Sequence, residues 1–519
     1  MMKLEPQQIW QEYQKIQEYL TKKNLFNIVK VNENFYEGKQ WDDISEKNSM
    51  PKPVINILQR VVKYMVATLS TNEVAVSITP FSQSAEDIKK IKPIAEEIEK
   101  VIETAKIKQA SKLAIRNAAV DGSAFMLQLF DESIDTGQAV KGRIVNKLID
   151  NTNVYFGNPY TSDVQSQPWI IIAFRQHIGQ VKEEARTLGV SEDNIKQIAP
   201  DNDTNQPNDD SDELCTVLIK YYKKNGEVWF TKTTQNVVLK KSELLGYKRY
   251  PISCFGWDPV KNSYLYNSPL TAVIPNQVFI NKCYAIAQMY GLQSAFPKIV
   301  YDKNKVQINE LLNKTGPHAV SGLDMMGKFL DFIKIPDFSN NILALLESTI
   351  AETKECMGVN DAALGNVKPD NTSAIIALQE SSNMPLEIQR QEYYEFWEDT
   401  VRNILEIMTY HYGNRQVITE VDGERTFAQV DFNVLKGINF DINVDIGNAS
   451  QFSEVAQINT LDKLFQTQVI NAKTYVDSVP SKYMPNKGKI QQYVEAKQQQ
   501  EEQMLQQQMM VQSGSIPNV

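Results

Sequence analysis

The stretch Gly365-Asn366-Val367-Lys368-Pro369-Asp370-Asn371-Thr372-Ser373-Ala374 interrupts two helical patterns that would otherwise be nearly continuous. Thr372 or Ser373 can cap the second helix, because a hydroxyl oxygen accepts the first orphan backbone N–H groups. That helix reads Ala374 to Ser382 and, after Pro385, continues through Gln391 to Trp397. A pliant loop held between two stiff helices suits a mechanical task. It does not suit a catalytic pocket, because it brings no nucleophile–base pair and no cluster of metal ligands.

The chain has 519 residues, enough for several domains. Its formal charge is -9. Tight, phosphate-neutralising nucleic-acid binding needs many Lys and Arg contacts, so an acidic chain is a poor candidate for it. The balance still permits DNA to pass close by without sticking. Cys215, Cys254, Cys283 and Cys356 are far apart and show no C-x-x-C spacing, which predicts a reduced chain without a disulfide framework. The charged N-terminus lacks the apolar core of a signal peptide. The uncharged run near Ser263 to Asn281 contains Pro269, Pro275, Asn276 and Gln277, which argues against a membrane span.

Periodicity predicts helices over residues 5–30, 54–70 and 85–120, with Asp121-Gly122-Ser123 breaking the last. Strands are expected at Val74 to Thr79, Ala124 to Phe130, Gly142 to Ile149, Val154 to Phe156 and Trp169 to Phe174. A helix is expected at Val181 to Leu188. Leu214 to Lys223 and Glu227 to Lys232 form a hairpin around Asn225-Gly226, the strongest short turn signal. Residues 1–262 thus read as an α+β domain.

Beyond Pro269 the texture changes. Residues 270–295 read as one helix of about seven turns. A small α/β insert follows, with strands at Lys298 to Tyr301 and Phe329 to Ile335 around a helix from Lys305 to Leu312. Residues 339–358 are a second helix. Strands return at Val417 to Val421, Thr426 to Phe432 and Ile438 to Val444, and residues 452–475 read as a helix. Lys497 to Gln512 is rich in Gln and Met, a helical tip or a disordered tail.

Phe35-Tyr36-Glu37-Gly38-Lys39-Gln40-Trp41 looks like an F-Y-x-G-x-Q-W box, and Asn56 in Pro53-Val54-Ile55-Asn56-Ile57 looks like the N-x-I element that follows it. With these boxes, the element order and residues 373–386, the chain resembles the portal proteins of tailed bacteriophages and prophages. The resemblance implies a multi-domain α+β portal fold. Residues 1–262 would form the wing, joined by strands in 416–450. Residues 263–296 and 339–360 would carry the two stem helices, 297–338 the clip and 361–373 the tunnel loop. A long kinked helix would occupy 374–415 and a helical crown 451–519.

The resemblance also implies a homo-oligomeric ring, usually of twelve subunits, at one capsid vertex of the virion, assembled in the host cytoplasm. Its implied partners are the terminase large subunit, head-completion proteins, the major capsid and scaffolding proteins, and double-stranded DNA in the channel. It implies no enzyme, no cofactor, no metal and no membrane. The alternative is a virion adaptor or ring scaffold that never contacts DNA.

Elementary electrostatics fits a ring. Carboxylates repeated about an axis repel DNA from all sides and keep it sliding. On the second stem helix Glu347, Glu352 and Glu355 are the candidates, and Glu352 and Glu355 share a face by i,i+3 spacing; Lys354 offers a basic ring. The plain alternative for each is a solvated helix face. In the loop, Leu364, Asn366, Lys368, Asp370 and Asn371 would lie nearest DNA, against the alternative of an ordinary surface loop. Lys298, Lys303 and Lys305 in the insert would meet DNA or a partner, or simply aid solubility.

Rival chemistries lack their motifs. None of Gly38-Lys39, Gly327-Lys328 and Gly488-Lys489 is followed by Ser or Thr, so there is no P-loop and the packaging motor must be another protein. His177, His318 and His411 stand alone, without H-E-x-x-H, and no G-x-S-x-G elbow occurs. Asp201, Asp203, Asn205 and Asp212 match four positions of a calcium-loop template, but Gln206 stands where the turn needs Gly and Pro207 follows it. A surface loop is the favoured reading there.

Overall fold

A computed structural model describes residues 5–41, 50–70, 74–80, 85–138, 140–201, 213–295, 299–301, 330–332, 339–359, 384–421, 424–437, 440–446, 451–467 and 469–479, with scattered residues between 484 and 497. Helix and strand are mixed throughout, as an α+β chain requires. Two compact units interleave in sequence. One comprises Met1–Leu69, Ala105–Phe130 and Ile144–Ile407; the other comprises Ser70–Thr104, Asp131–Arg143 and Met408–Val519. The 1–262 segment therefore contributes to both.

The first unit is built on a five-stranded antiparallel sheet in sequence order: Val154–Phe156, Trp169–His177, Leu214–Lys224, Glu227–Thr233 and Val238–Leu244. Its central hairpin turns at Asn225 (φ 53°) and Gly226 (φ 81°) and pairs Lys224 with Glu227. Two successive positive φ angles define the turn that matches strand twist, which is why Asn-Gly was legible there. The Pro6–Lys22 helix buries Ile9, Tyr13, Ile16 and Leu20, and Tyr13 meets Tyr155 edge-on at 4.7 Å. Lys220 in the sheet is paired with Glu12 of that helix.

The expected single helix over 5–30 is instead two, Pro6–Lys22 and Leu25–Glu37, parted where Asn24 adopts a left-handed conformation (φ 60°). Asn tolerates that region better than most residues. The 85–120 pattern divides in the same way, into Ala85–Thr104 and Ile107–Asp121, at Lys106 (φ 53°). The helix expected from Val54 starts at Ile57, because the Asn56 side-chain oxygen accepts from the Gln59 backbone N–H (3.0 Å).

A three-stranded sheet in the order Arg143–Asp150, Ser123–Asp131, Ile252–Gly256 packs on the Glu387–His411 helix. Asn403 donates to Gln128 (3.0 Å), and the hydroxyls of Ser253 and Thr400 lie 2.8 Å apart. Phe255 seals the contact against Tyr393 and Phe396. The long helix expected to reach residue 415 ends at His411, and a strand starts at Asn414.

The second unit has two two-stranded antiparallel sheets, Val74–Pro80 with Phe440–Ile446 and Asn414–Val421 with Glu424–Asp431. The Ala85–Thr104 helix packs on the latter and buries Ile94, Ile98, Val101 and Ile102. Arg415 lies 3.8 Å over the Tyr412 ring and donates to the carbonyls of Gly142 (2.7 Å) and Val140 (3.1 Å). The single helix expected over 452–475 is two, Gln451–Gln466 and Ala472–Ser478. Asn471 caps the second by accepting from the Thr474 N–H (2.8 Å), and Phe465 stacks on Tyr475 at 4.9 Å. Among the described residues no helix is long and apolar enough to cross a membrane.

One buried carboxyl in the first unit ties pH to stability. Asp121 ends the Ile107–Asp121 helix, where the helix dipole already disfavours a negative charge. Burial, and then the charge of Glu33, push its pKa up to about 9. Arg116 is engaged by both oxygens of Glu33, and Asp150 adds further negative charge. The folded state therefore holds a proton that the unfolded chain releases near pH 4. Stability from this site falls as pH rises from about 4 toward 9. Asp121→Asn should flatten that decline and raise the melting temperature at pH 8 more than at pH 5, as read by differential scanning calorimetry across pH.

Candidate functional site: paired helices and their anchor

The Pro269–Ala295 helix contains a single charged side chain, Lys282, and starts where Ser268 accepts from the Leu270 N–H (3.0 Å) and donates to the Ala119 carbonyl (2.8 Å). Its partner, Asn340–Cys356, lies against it, and Asn276 donates to the Thr353 hydroxyl across the pair (3.2 Å). Gly358 (φ 72°) ends the second helix, with its N–H given to the Glu355 carbonyl.

Burial is graded along the pair. The first helix buries Leu270, Val273, Gln277, Ile280, Asn281, Cys283 and Ala285, then nothing further toward Ala295. Leu292 is 59% exposed and Ile286 is exposed as well. The second helix buries only Leu346 and, near its C-terminal end, Thr353, whereas Leu343 and Leu345 are exposed, Leu345 at 54%. The pair is embedded at one end and bare at the other. From Ala285 to Ala295 the bare arm spans about 15 Å at 1.5 Å per residue.

The embedded end is held by side-chain amides. Gly38 (φ 95°) closes the Leu25–Glu37 helix in a conformation that glycine adopts without strain. That turn presents Gln40, whose Nε2 donates to the Phe35 carbonyl (2.8 Å) and whose Oε1 accepts from Asn281 Nδ2 (2.6 Å). Asn281 Oδ1 accepts from the Ile55 N–H (3.2 Å) and from Gln277 Nε2 (3.0 Å). Gln277 also grips the strand-like Ile55–Ile57 segment, donating to the Ile55 carbonyl (2.7 Å) and accepting from the Ile57 N–H (3.2 Å). Asn56 donates back to the Tyr36 carbonyl (2.9 Å), and the Trp41 indole donates to the Pro53 carbonyl (2.8 Å). Gln277 and Asn281 are 0% and 1% exposed, and the bonds Gln40–Asn281, Gln277–Asn281 and Ile57–Gln277 are buried, while the others reach the edge of the site.

The two sequence boxes are thus one structure. Gly38, Gln40, Trp41 and Asn56 form a collar, and the first long helix plugs into it through two amides one turn apart. Sequence reasoning used Gln277 only as evidence against a membrane span and missed Asn281. The available signal was a pair of amides at i,i+4 within an almost uncharged helix.

A profile of the phage P22-like portal protein family matches residues 178–515, well over half of the chain. The chain belongs to that family. No curated protein matches it. The match takes in both long helices, and the two boxes precede it. Portal proteins are structural, non-enzymatic virion components of bacteriophages; they form rings at a capsid vertex, connect head to tail and serve DNA packaging.

In this portal protein, Glu347, Glu352 and Glu355 are exposed on the Asn340–Cys356 helix, and Lys354 is half-buried. Glu352 accepts a hydrogen bond from Ser348 (2.8 Å), which leaves its outer face open. Glu352 and Glu355 share one exposed side, as their spacing predicts. Leu364, Asn366, Lys368, Asp370 and Asn371 lie outside the described residues, as do Lys298, Lys303 and Lys305. The segment holding Asp203, Asn205, Gln206 and Asp212 lies outside them too. Asp201 is committed elsewhere: Arg175 pairs with it, and the Thr216 N–H and hydroxyl both donate to it (2.7 Å each). Among the described residues no group of His, Cys, Asp and Glu is arranged to hold a metal ion. His177 is exposed, His411 half-buried and His318 outside the described residues.

The collar yields a direct expectation. Asn281→Leu strands the buried Gln40 oxygen at a cost of about 1–3 kcal/mol and removes the acceptor of the Ile55 N–H. The variant should unfold at markedly lower urea concentration, while Lys282→Gln on the exposed side of the same helix should change the midpoint little. Equal midpoints for Asn281→Leu and the parent chain would show that the amide collar is not what anchors the helix.

Proposed function

We propose that this chain is the subunit of a dodecameric portal ring whose axis carries double-stranded DNA, inward during packaging by terminase and outward at ejection. The observation that carries the reading is the bare arm. Leu292, Ile286, Leu343 and Leu345 face water in the lone chain, on helices that are firmly anchored at their other end. Identical neighbours in a ring cover such a surface, and an isolated structural adaptor would have no reason to keep it.

The side that Glu352 and Glu355 share then faces the axis. Glu347, Glu352 and Glu355, repeated around the ring, set a negative wall about a polyanion, so DNA is guided without being held. Lys354 tempers that wall at one level. The loop over 361–373, through Leu364, Asn366, Lys368, Asp370 and Asn371, serves as the pliant contact with DNA. Residues 297–338, with Lys298, Lys303 and Lys305, serve as the clip that receives terminase and later the head-completion proteins. The 451–519 region forms the crown on the capsid side.

Two measurements test this. Leu345→Asp should leave circular dichroism and the melting midpoint near those of the parent chain, because the residue is exposed, yet shift the protein from rings to monomers in negative-stain images and mass photometry. Deleting residues 364–371 should leave rings intact but reduce packaged DNA or its retention, measured as nuclease-protected DNA per particle. If that deletion abolishes ring assembly instead, the loop assignment is wrong. If DNA packages normally without the loop, the reading of DNA contact there fails.

A further inference from the structure

The Asn414–Val421/Glu424–Asp431 hairpin has only two strands, which is marginal for a sheet standing alone. Its Val417 side is buried, beneath the Ala85–Thr104 helix. On the opposite side, in register with Ile418, Phe427 is 77% exposed. A large aromatic left in water on the outer side of a short sheet marks a surface that something covers.

The two edges of this hairpin are treated differently. On the Asn414–Val421 edge, Gln138 imitates a strand: its Nε2 donates to the Gln416 carbonyl (3.2 Å), and its Oε1 accepts from the Gln416 N–H (3.1 Å). That edge is blocked at Gln416. The same bonds fix the ladder's phase. Because both backbone groups of Gln416 point away from the hairpin partner, Gln416 and Gln429 are a non-hydrogen-bonded pair. The N–H and C=O of Gln429 therefore point outward from the other edge, and by alternation so do those of Phe427. Among the described residues they meet no partner. An outward ladder beside an exposed aromatic is an invitation to strand addition.

We propose that the Glu424–Asp431 edge of one copy takes the Val74–Pro80 strand of the next copy around the ring, so that the two-stranded sheets of neighbouring subunits join into one belt. The proposal rests on the ring reading above and adds the strand pairing. Both sheets belong to the same unit of the chain, and each has a single strand neighbour on its ladder among the described residues. A ring joins unlike edges head to tail, which two different sheets supply. Charge chooses between the candidate edges. Phe440–Ile446 carries Asp441 and Asp445, which would oppose Glu424 and Asp431; Val74–Pro80 carries no charge. Its Val74, Val76 and Ile78 are β-branched, and such residues pair well with an aromatic on the same face.

The test uses the full chain, separated by size into rings and monomers. Hydrogen–deuterium exchange is followed in peptides covering 427–431 and 74–79. Both should exchange about tenfold or more slowly in rings than in monomers. Gln429→Pro removes one outward N–H and spares the hairpin's own ladder. It should keep the monomer's circular dichroism and lose rings, and Phe427→Asp should do the same. Rings with unchanged exchange in both peptides, or full ring assembly by Gln429→Pro, would overturn the belt and leave the ring reading standing. Protection that appears only on adding capsid protein would assign the edge to that partner and overturn the belt as well. A chain that forms no rings under any condition overturns both readings.

Discussion

Two carboxamides, Gln277 and Asn281, decide how the almost uncharged Pro269–Ala295 helix is seated. Each buried amide group left unpaired costs about 1–3 kcal/mol, more than a typical hydrogen bond contributes, so a fully paired set favours one seating. A greasy helix packed by apolar contacts alone can slide or rotate at small cost. Here Gln277 and Asn281 must find Gln40, Ile55 and Ile57, and no other alignment satisfies all of them. The glycine turn at Gly38 and the cap at Asn56 exist to bring those partners to one place.

The chain announces its own punctuation far better than its partnerships. The paired helices could be bounded from Pro269, Pro297 and Pro336, because proline acts through local backbone sterics that need no tertiary context. The hairpin at Asn225-Gly226 was legible for the same reason. The breaks at Asn24 and Lys106 were not. Neither residue forbids a helix, and the left-handed conformations found there leave no distinctive mark in the local sequence. The cap at Asn471 was missed because Asn is also common in loops, and only the bond to Thr474 shows which use applies.

The candidate site divides along similar lines. Charge and spacing located Glu352 and Glu355 on one open side of a helix, since i,i+3 geometry is local. The amide collar was invisible because its members are separated by some 240 positions in sequence, as in the bond between Gln40 and Asn281. Family resemblance pointed at the two boxes around Gly38 and Asn56 without saying what they do; in the structure Gln40 bonds to Asn281 of the first long helix, and Asn56 ties the two boxes together.

Seating the helix through residues one turn apart also sets its azimuth. Each residue advances the helix by about 100°. A single residue gained or lost between Asn281 and the bare tip would leave the collar intact and swing everything beyond it through roughly a quarter turn. Ile286, Leu292 and the other exposed side chains of that arm would then point in new directions. Seven residues, close to two full turns, would nearly restore the phase and lengthen the arm by about 10 Å. Length variation among related chains is therefore expected to come in such steps within this arm, and freely only outside it.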